Sequence, residues 1–422
     1  MLLRLSNCCL IALITMALLF LFISCEEDGD DEALITELLA TFSGDWLCSD
    51  CDPGILVYSD LEGNVLWSGS WSGNDTLLAT LEDGFPERLI FTTVTYDSRN
   101  ERVAITSNMN VKADSYTWLG GGADYRWSEY VGDAYLKFRN VPEHSGYLIA
   151  SKYSYRRSGG GSLHSPYDKA LYNSDDNLFA RINPIDGVPL YTWVQEISPW
   201  DSVTVDFANA VEMDAKTITI PNPEMETNYT IRGFISDYYE GYYTVDYASP
   251  WQITENTYEV HYPANLFSDY RFYGFINEES YPTRNYWSYS KMGDIPSGLE
   301  MLSTEFSFVN SDTTDVSISV SGDYTQISYA WAWQDHNGVS YSWNVYTDLE
   351  GIRLPVLPSS VLSAYPDLNP DSLSLSAVGV HQNDDLNYDE HIDLFFKSGD
   401  GFYNVITESK VRYKDPAGLR LE

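Results

Sequence analysis

Two closely spaced cysteines are the first residues that could carry out chemistry. Cys48 and Cys51 form a C-x-x-C pair, which can be half of a zinc site, a redox-active dithiol or a small disulfide loop. Zinc would need two more ligands from scattered histidines or carboxylates. A redox pair should stand between a strand and a helix, and no such pattern surrounds this one. We therefore favour a disulfide, with a metal site and redox chemistry as the alternatives.

Histidines and carboxylates could supply hydrolysis or metal binding. His144, His261 and His391 lack the partner at i+4 that a zinc-binding helix carries. A glycosidase needs two carboxylates either about 5 Å or about 6.5 to 9.5 Å apart, and 62 acidic residues neither identify nor exclude such a pair. Asp384-Asp385 and Asp389-Glu390 could bind Ca²⁺, but they lack EF-hand spacing, so a solvated acidic loop is favoured. We predict no cofactor.

A row of aromatic side chains is the clearest candidate for ligand binding. Tyr329, Trp331 and Trp333 alternate with small residues, so on a strand they share one face at intervals of about 6.8 Å. Asn337-Gly338 predicts a hairpin turn, and the next strand carries Trp343. Flat rings beside polar groups suit sugars, because pyranose C–H faces stack on rings while hydroxyl and amide groups bind the sugar hydroxyls.

The register of this hairpin decides which side chains flank the rings. With a loop of two or four residues, Trp331 and Trp333 would lie beside Ser342 and Asn344. The competing interpretation is that the row faces inward, since alternating large residues usually mark a buried face. The predicted ligand-binding set is Tyr329, Trp331, Trp333, Trp343, Asn344 and Trp287.

The elements that must position these residues are strands. Runs such as Val65 to Trp71 and Leu190 to Ile197 are rich in β-branched and aromatic residues and are separated by turn residues about every ten positions. Past residue 45 we predict one short helical turn, near Ser359 to Ala364 after Pro358. This rhythm predicts an all-β fold of tandem β-sandwich domains.

The predicted domains are separated by prolines. Pro221 and Pro223 cannot donate to a sheet, so we place a boundary there, giving β-sandwich regions at 45–222 and 223–422. The second region could split near Asn310, before a polar turn. Asp60 to Val65 and Phe138 to Pro142 resemble segments of prealbumin-like modules, so an immunoglobulin-like or prealbumin-like sandwich is expected.

The N-terminal segment predicts export. Leu10 to Ile23 is an apolar run with the length of a signal-peptide core, too short to cross a bilayer comfortably. Leu21 to Cys25 resembles a bacterial lipobox, which implies a signal peptide over 1–24 and lipid on Cys25. The acidic run Glu26 to Glu32 lies in a flexible tether predicted over 25–44, and it resembles the surface-export signal of Bacteroidota lipoproteins.

Composition limits the partners. The 422 residues include 62 acidic and 24 basic side chains, and the formal charge of −38 excludes a general nucleic-acid binder because phosphates would be repelled. The abundance of aromatic residues excludes disorder for most of the chain. The resemblances to a lipobox and to the surface-export signal imply attachment to the outer membrane of a bacterial envelope, facing outward.

Two classes of function follow from the sequence. The first is a surface-tethered, non-catalytic module that binds an extracellular glycan or protein. The second is an exported hydrolase that uses a carboxylate pair, and a structural or adhesive component of the envelope is a further alternative. An exposed aromatic row favours binding, whereas a cleft with two converging carboxylates favours hydrolysis.

Overall fold

A computed structural model describes most of the chain and shows an all-β protein, as predicted. The described residues are 34–43, 54–97, 101–119, 131–152, 154–158, 163, 167–171, 176–235, 241–278, 285–312, 314–335, 338–397 and 406–416. Cys25, Cys48 and Cys51 and the predicted signal peptide lie outside them.

Twenty-eight strands and two α-helices are present in this part of the chain. The first strands are β1 Glu37–Ser43, β2 Gly54–Ser59, β3 Val65–Trp71, β4 Asp75–Thr80, β5 Arg88–Asp97, β6 Arg102–Lys112, β7 Tyr116–Leu119, β8 Gly132–Arg139, β9 His144–Ser151 and β10 Ser154–Ser158. These are followed by β11 Tyr167–Leu171, β12 Asp176–Pro184, β13 Leu190–Ile197, β14 Ser202–Asp206, β15 Val211–Glu212, β16 Asp214–Thr219, β17 Glu226–Phe234, β18 Tyr243–Ala248 and β19 Thr257–Tyr262. The last are β20 Asp269–Asn277, β21 Tyr286–Met292, β22 Glu305–Ser311, β23 Asp315–Ser321, β24 Gln326–Gln334, β25 Ser340–Thr347, β26 Gly351–Arg353, β27 Ser374–Asn383 and β28 Glu408–Lys414. The helices are α1 Ser359–Ala364 and α2 Tyr388–Lys397, and short 3₁₀ helices span Phe207–Asn209, Pro250–Gln252 and Pro370–Ser372.

One large sheet forms the centre of the molecule. It has twelve strands in the order β18-β17-β20-β21-β28-β27-β24-β25-β6-β5-β2-β3. Neighbouring strands are antiparallel except β25 and β6, which are parallel. The smaller sheets are β4-β1-β7, β10-β9-β12-β13-β15, β11-β8-β14, β16-β19 and β22-β23-β26.

Three hydrophobic cores lie between these sheets. The largest joins one face of the twelve-stranded sheet to β12, β19 and β23, through residues that include Phe179, Val260 and Val316. The second joins the end of the sheet near β2 and β5 to β1, β4 and α2, and it includes Phe42 and Phe91. The third lies between the β10-β9-β12-β13-β15 and β11-β8-β14 sheets. Burial between stacked sheets is the β-sandwich arrangement that the strand rhythm predicts.

The predicted tether differs from the structure at its C-terminal end. Glu37–Ser43 is a strand, paired with β4 on one side and β7 on the other. Leu38, Ala40 and Phe42 alternate inward and are buried, and the Phe42 ring stacks on Trp71 with centroids 4.0 Å apart. The acidic run before this segment obscured a period-two apolar pattern, which is enough to form a strand when a sheet covers it.

The large sheet includes strands from both sides of the boundary predicted at 222–223. Strands β2, β3, β5 and β6 come from the first predicted region, and the other eight come from the second. The two regions therefore share one sheet. At the predicted split, Asn310 pairs with Ser317 inside the β22-β23 hairpin, so the polar turn there connects two paired strands.

Helix α1 has the bounds predicted from sequence, whereas α2 was not predicted. The acidic segment interpreted as a solvated loop or a Ca²⁺ site is partly this helix. Its residue Asp389 lies 2.7 Å from Arg88 and 3.2 Å from Lys112. Tyr388, Ile392 and Phe396 recur at four-residue spacing and are buried, which is the helical stripe that the acidic residues concealed. No helix among the described residues has the length and apolarity needed to span a membrane.

Candidate ligand-binding pocket

The aromatic row predicted to bind ligand is part of the core. Tyr329, Trp331 and Trp343 are at most 1% exposed, and all three belong to the largest core. The inward interpretation of the alternating pattern is therefore the correct one at these positions. The Trp343 Nε1–H donates to Ser107 Oγ at 2.9 Å, which satisfies its polar atom without solvent.

The register of the β24-β25 hairpin also differs from the prediction. Trp331 pairs with Trp343, and Trp333 pairs with Tyr341. Gln334 pairs with Ser340, so the connection has five residues, where we assumed two or four. An odd loop shifts the register by one residue and moves the large side chains of both strands to the same face.

The remaining predicted residues do not form a site with this row. Trp333 is half-buried, and its ring stacks on Tyr341 with centroids 5.0 Å apart. Trp287 is buried, with the Arg412 guanidinium 4.3 Å from its ring centroid. Asn344 points to the other face of β25, beside Ala330.

A different part of the molecule contains a polar pocket. The cavity has a volume of about 300 Å³, near the lower limit for small-molecule sites. It lies where the edge of the twelve-stranded sheet meets β12 and β19. Its lining consists of Arg181, Asn183, Gly187, Val188, Pro189, Tyr229, Asp246, Tyr247, Gln252, Tyr258, Glu259 and His261.

A buried ion pair forms the floor of this pocket. Arg181 on β12 forms a salt bridge to Asp246 Oδ1 on β18, and both residues are less than 9% exposed. The Tyr229 hydroxyl and the His261 backbone N–H donate to Asp246 Oδ2 at 2.9 and 2.8 Å. The Tyr247 N–H donates to Oδ1 at 2.8 Å. Four donors compensate the cost of burying this carboxylate, so its position is fixed.

The walls carry neutral hydrogen-bonding groups at physiological pH. Burial, together with the charge of Asp246, raises the pKa of Tyr229 well above its ordinary value. The same two causes raise the pKa of Tyr258. Burial lowers the pKa of His261, whose Nε2 lies 3.1 Å from Glu259 Oε1. Near pH 7 the phenols are therefore protonated and the imidazole is uncharged.

An aromatic ring in the wall is held in place from outside the pocket. The Arg157 guanidinium on β10 lies 3.5 Å from the centroid of the Tyr247 ring. Ser249 Oγ donates to the Tyr247 hydroxyl at 3.0 Å, and Arg157 Nη1 donates to Ser249 Oγ at 3.3 Å. The exposed side chains of Gln252 and Glu259 form the rim. The pocket thus combines fixed rings with amide, carboxylate and imidazole groups.

The arrangement is suited to binding more than to hydrolysis. Of the two carboxylates in the pocket, Asp246 already accepts four hydrogen bonds and cannot also serve as a general base or nucleophile. That leaves Glu259 alone at the rim, whereas glycoside hydrolysis requires two carboxyl groups. Within the described residues, no cluster of three or more His, Cys, Asp or Glu side chains could hold a metal ion.

Sequence reasoning did not find this pocket, although two signals pointed to it. Arg181 and Asp246 are charged residues inside the buried stretches of β12 and β18. A lone charge in a buried strand needs an opposite charge from elsewhere in the fold. Glu259 and His261 stand two residues apart on β19, so strand geometry places them on one face.

No protein-family model matches the chain, and no curated protein matches it. One solved structure found by comparison is a tetra-tandem repeat from the extending region of a large adhesion protein, with 10% identity, a TM-score of 0.13, and coverage of 82% of this chain and 94% of that one. Another is a Ca²⁺-stabilised adhesin that helps an Antarctic bacterium bind ice, with 7% identity, a TM-score of 0.12, and coverage of 83% and 95%. TM-scores this low do not indicate a shared topology, so neither likeness bears on the function of this chain.

Proposed function

We propose that the protein is a surface-tethered, outer-membrane lipoprotein that captures glycans without cleaving them. The observation that carries the binding role is the pocket, where fixed tyrosine rings stand beside neutral hydrogen-bonding groups over a buried ion pair whose Asp246 carboxylate accepts four hydrogen bonds. Sugars need both components, because their C–H faces stack on rings and their hydroxyls need polar partners. We therefore propose this pocket as the ligand site in place of the aromatic row.

The proposed anchor rests on the sequence. Leu10 to Ile23 has signal-peptide character, Cys25 follows at the lipobox position, and an acidic run comes next. Acyl chains on Cys25 would hold the protein at a membrane. Mass spectrometry of the native protein tests this anchor. A diacylated or triacylated N-terminal Cys25 is expected, and an unmodified N-terminus would contradict it.

The binding role is tested with the full chain on an array of mono- to tetrasaccharides, followed by calorimetry on each hit. We expect Tyr258→Ala to weaken binding about 3- to 10-fold, which corresponds to one aromatic contact. Tyr135→Ala is the matched control, because Tyr135 is exposed on β8 and outside the pocket. Equal affinity of Tyr258→Ala and the wild type would refute the pocket as the site.

Release of reducing sugar from each bound glycan separates capture from hydrolysis. We expect none from the wild type, because Asp246 is fully hydrogen-bonded and Glu259 lacks a second carboxylate in the pocket. Sugar release that Glu259→Gln abolishes would instead establish a hydrolase.

A further inference from the structure

The formal charges that line the pocket do not cancel. The lining contains one cation, Arg181, and two carboxylates, Asp246 and Glu259. Arg181 and Asp246 form an ion pair and neutralise each other. Burial lowers the pKa of His261, so this imidazole is uncharged near pH 7. Glu259 therefore leaves the lining with a formal charge of −1.

Glu259 stands at the rim with its charge available to a ligand. Its side chain is 61% exposed, and its Oε1 lies 3.1 Å from His261 Nε2. Because the imidazole is uncharged, this contact does not neutralise the carboxylate. Within the described part of the chain, no lysine or arginine forms an ion pair with Glu259. A cationic group on a ligand could therefore supply the missing countercharge.

The buried cation of the floor offers no matching site for an anion. Arg181 Nε donates to Asn183 Oδ1 at 3.0 Å, and Arg181 Nη1 donates to Val245 O at 3.2 Å and also to Asp246 Oδ1. A carboxylate on a ligand would lie near Asp246 as well as Arg181, so it would meet no net positive charge there.

The available oxygen atoms suit an ammonium group more than a metal ion. Ca²⁺ takes about six to eight oxygen ligands. Asp246 already accepts four hydrogen bonds, which leaves Glu259 as the carboxylate of this lining that could bind a metal. A protonated primary amine carries three N–H donors and no acceptor, so one carboxylate and nearby neutral oxygens can satisfy it.

The aromatic walls also favour a cation. The Tyr229 and Tyr258 rings meet edge to face with centroids 5.6 Å apart, and an ammonium is attracted to the face of a tyrosine ring. Tyr247 already makes such a contact with Arg157, at 3.5 Å. Arg157 is exposed and does not line the pocket, so water screens its repulsion of a bound ammonium, whereas Glu259 can contact that group directly.

We propose that the pocket prefers sugars that carry a protonated primary amine, with the Glu259 carboxylate accepting hydrogen bonds from the ammonium. The inference rests on the proposed glycan capture and names the class of sugar. Gln252 Oε1 accepts the Ser249 N–H at 2.8 Å, so the Gln252 NH₂ group can donate to a sugar hydroxyl. N-acetylation removes the charge of the amine, and a uronic acid would bring a second negative charge beside Glu259.

The test measures Kd for the full chain by ligand-observed NMR titration. The ligands are glucosamine, galactosamine and mannosamine, each beside its parent hexose and its N-acetyl derivative. At least one amine should bind about 3- to 10-fold more tightly than both of its matched sugars, the usual scale of a partly exposed charge pair. Raising NaCl from about 20 mM to about 0.5 M should reduce this preference, because salt screens the contact.

The variant Glu259→Gln should abolish the preference for the amine, since the amide keeps the size of the side chain and removes its charge. Glu62→Gln is the matched control and should keep the preference. It removes the same charge from an exposed residue in the turn between β2 and β3, at the opposite edge of the twelve-stranded sheet from β18. Thermal unfolding of both variants checks that they fold.

The outcomes distinguish failure of this inference from failure of the proposed function. If hexoses bind and Tyr258→Ala weakens them, but the amine has no advantage or keeps its advantage in Glu259→Gln, the inference is wrong and glycan capture stands. If n-propylamine binds as tightly as the best amino sugar while no hexose binds, the amine contact is supported and glycan capture is wrong. Absence of binding by every sugar and by n-propylamine would contradict both.

Discussion

Asp246 shows how a single residue joins distant parts of this molecule. Its carboxylate connects β18 to β12 through Arg181, to β17 through the Tyr229 hydroxyl and to β19 through the His261 N–H. The residue thus links three different sheets at one point. A buried ion pair of this kind adds little net stability over an apolar pair. Removal of one partner is nevertheless strongly destabilising, because the other charge is left buried without compensation.

We predict that Arg181→Met lowers the free energy of unfolding by about 3 to 5 kcal/mol, because Asp246 then stays buried without its cation. The double variant Arg181→Met, Asp246→Asn should recover part of this loss, since no charge remains buried and the amide oxygen still accepts hydrogen bonds from the neighbouring donors. Urea and thermal unfolding of both variants measure the difference. If Arg181→Met is as stable as the wild type, the ion pair is not needed for the stability of this part of the fold.

At the scale of elements, β1 shows what a strand gains from its sheet. Its sequence Glu37–Ser43 is short, yet three alternating side chains fill a core between β4, β7 and the large sheet. Phe42 contributes the largest of these side chains and stacks against Trp71. These contacts fix residues 37–43 to the folded body.

Phe42→Ala should cost about 3 to 5 kcal/mol of stability, the usual effect of removing a buried phenyl ring. Leu39→Ala on the same strand is the matched control, because Leu39 is 45% exposed and its loss should change stability by less than about 0.5 kcal/mol. Melting temperatures of the two variants give the comparison. Equal melting temperatures would mean that residues 37–43 contribute no more to the stability of the fold than a flexible tether would.

At the scale of the whole molecule, charge is the dominant property. A formal charge of −38 over 422 residues means that folding brings many like charges together. The described ion pairs, such as Lys397 with Asp114 and Lys410 with Glu300, neutralise only a few of them. Long-range repulsion therefore destabilises the folded state at low ionic strength.

We expect the melting temperature to rise when NaCl is increased from about 20 mM to about 0.5 M, because the screening length falls well below 10 Å. KCl should give the same rise, and binding of a neutral glycan should change little over that range. A melting temperature that stays constant or falls would contradict net repulsion. An additional rise with CaCl₂ at equal ionic strength would reveal a specific cation site.

Local pattern alone determined the strand content and many of the boundaries. Val65–Trp71, Leu190–Ile197 and the helix Ser359–Ala364 have the bounds predicted from sequence, because side-chain periodicity and turn residues act over a few positions. The N-terminal export features are also local, and they stay predictions since those residues lie outside the described part. Helix α2 was missed because its acidic positions outweighed its apolar stripe.

Only the tertiary structure decided which faces are buried and where the polar groups meet. Alternation shows that Tyr329, Trp331 and Trp333 share a face, but the stacked sheets determine that this face is core. The loop length determined the register, which local pattern could not choose. Arg181 and Asp246 stand 65 positions apart on two different sheets, and they meet only where these sheets pack together. Such a pocket depends on contacts between distant segments, and local periodicity contains no information about these contacts.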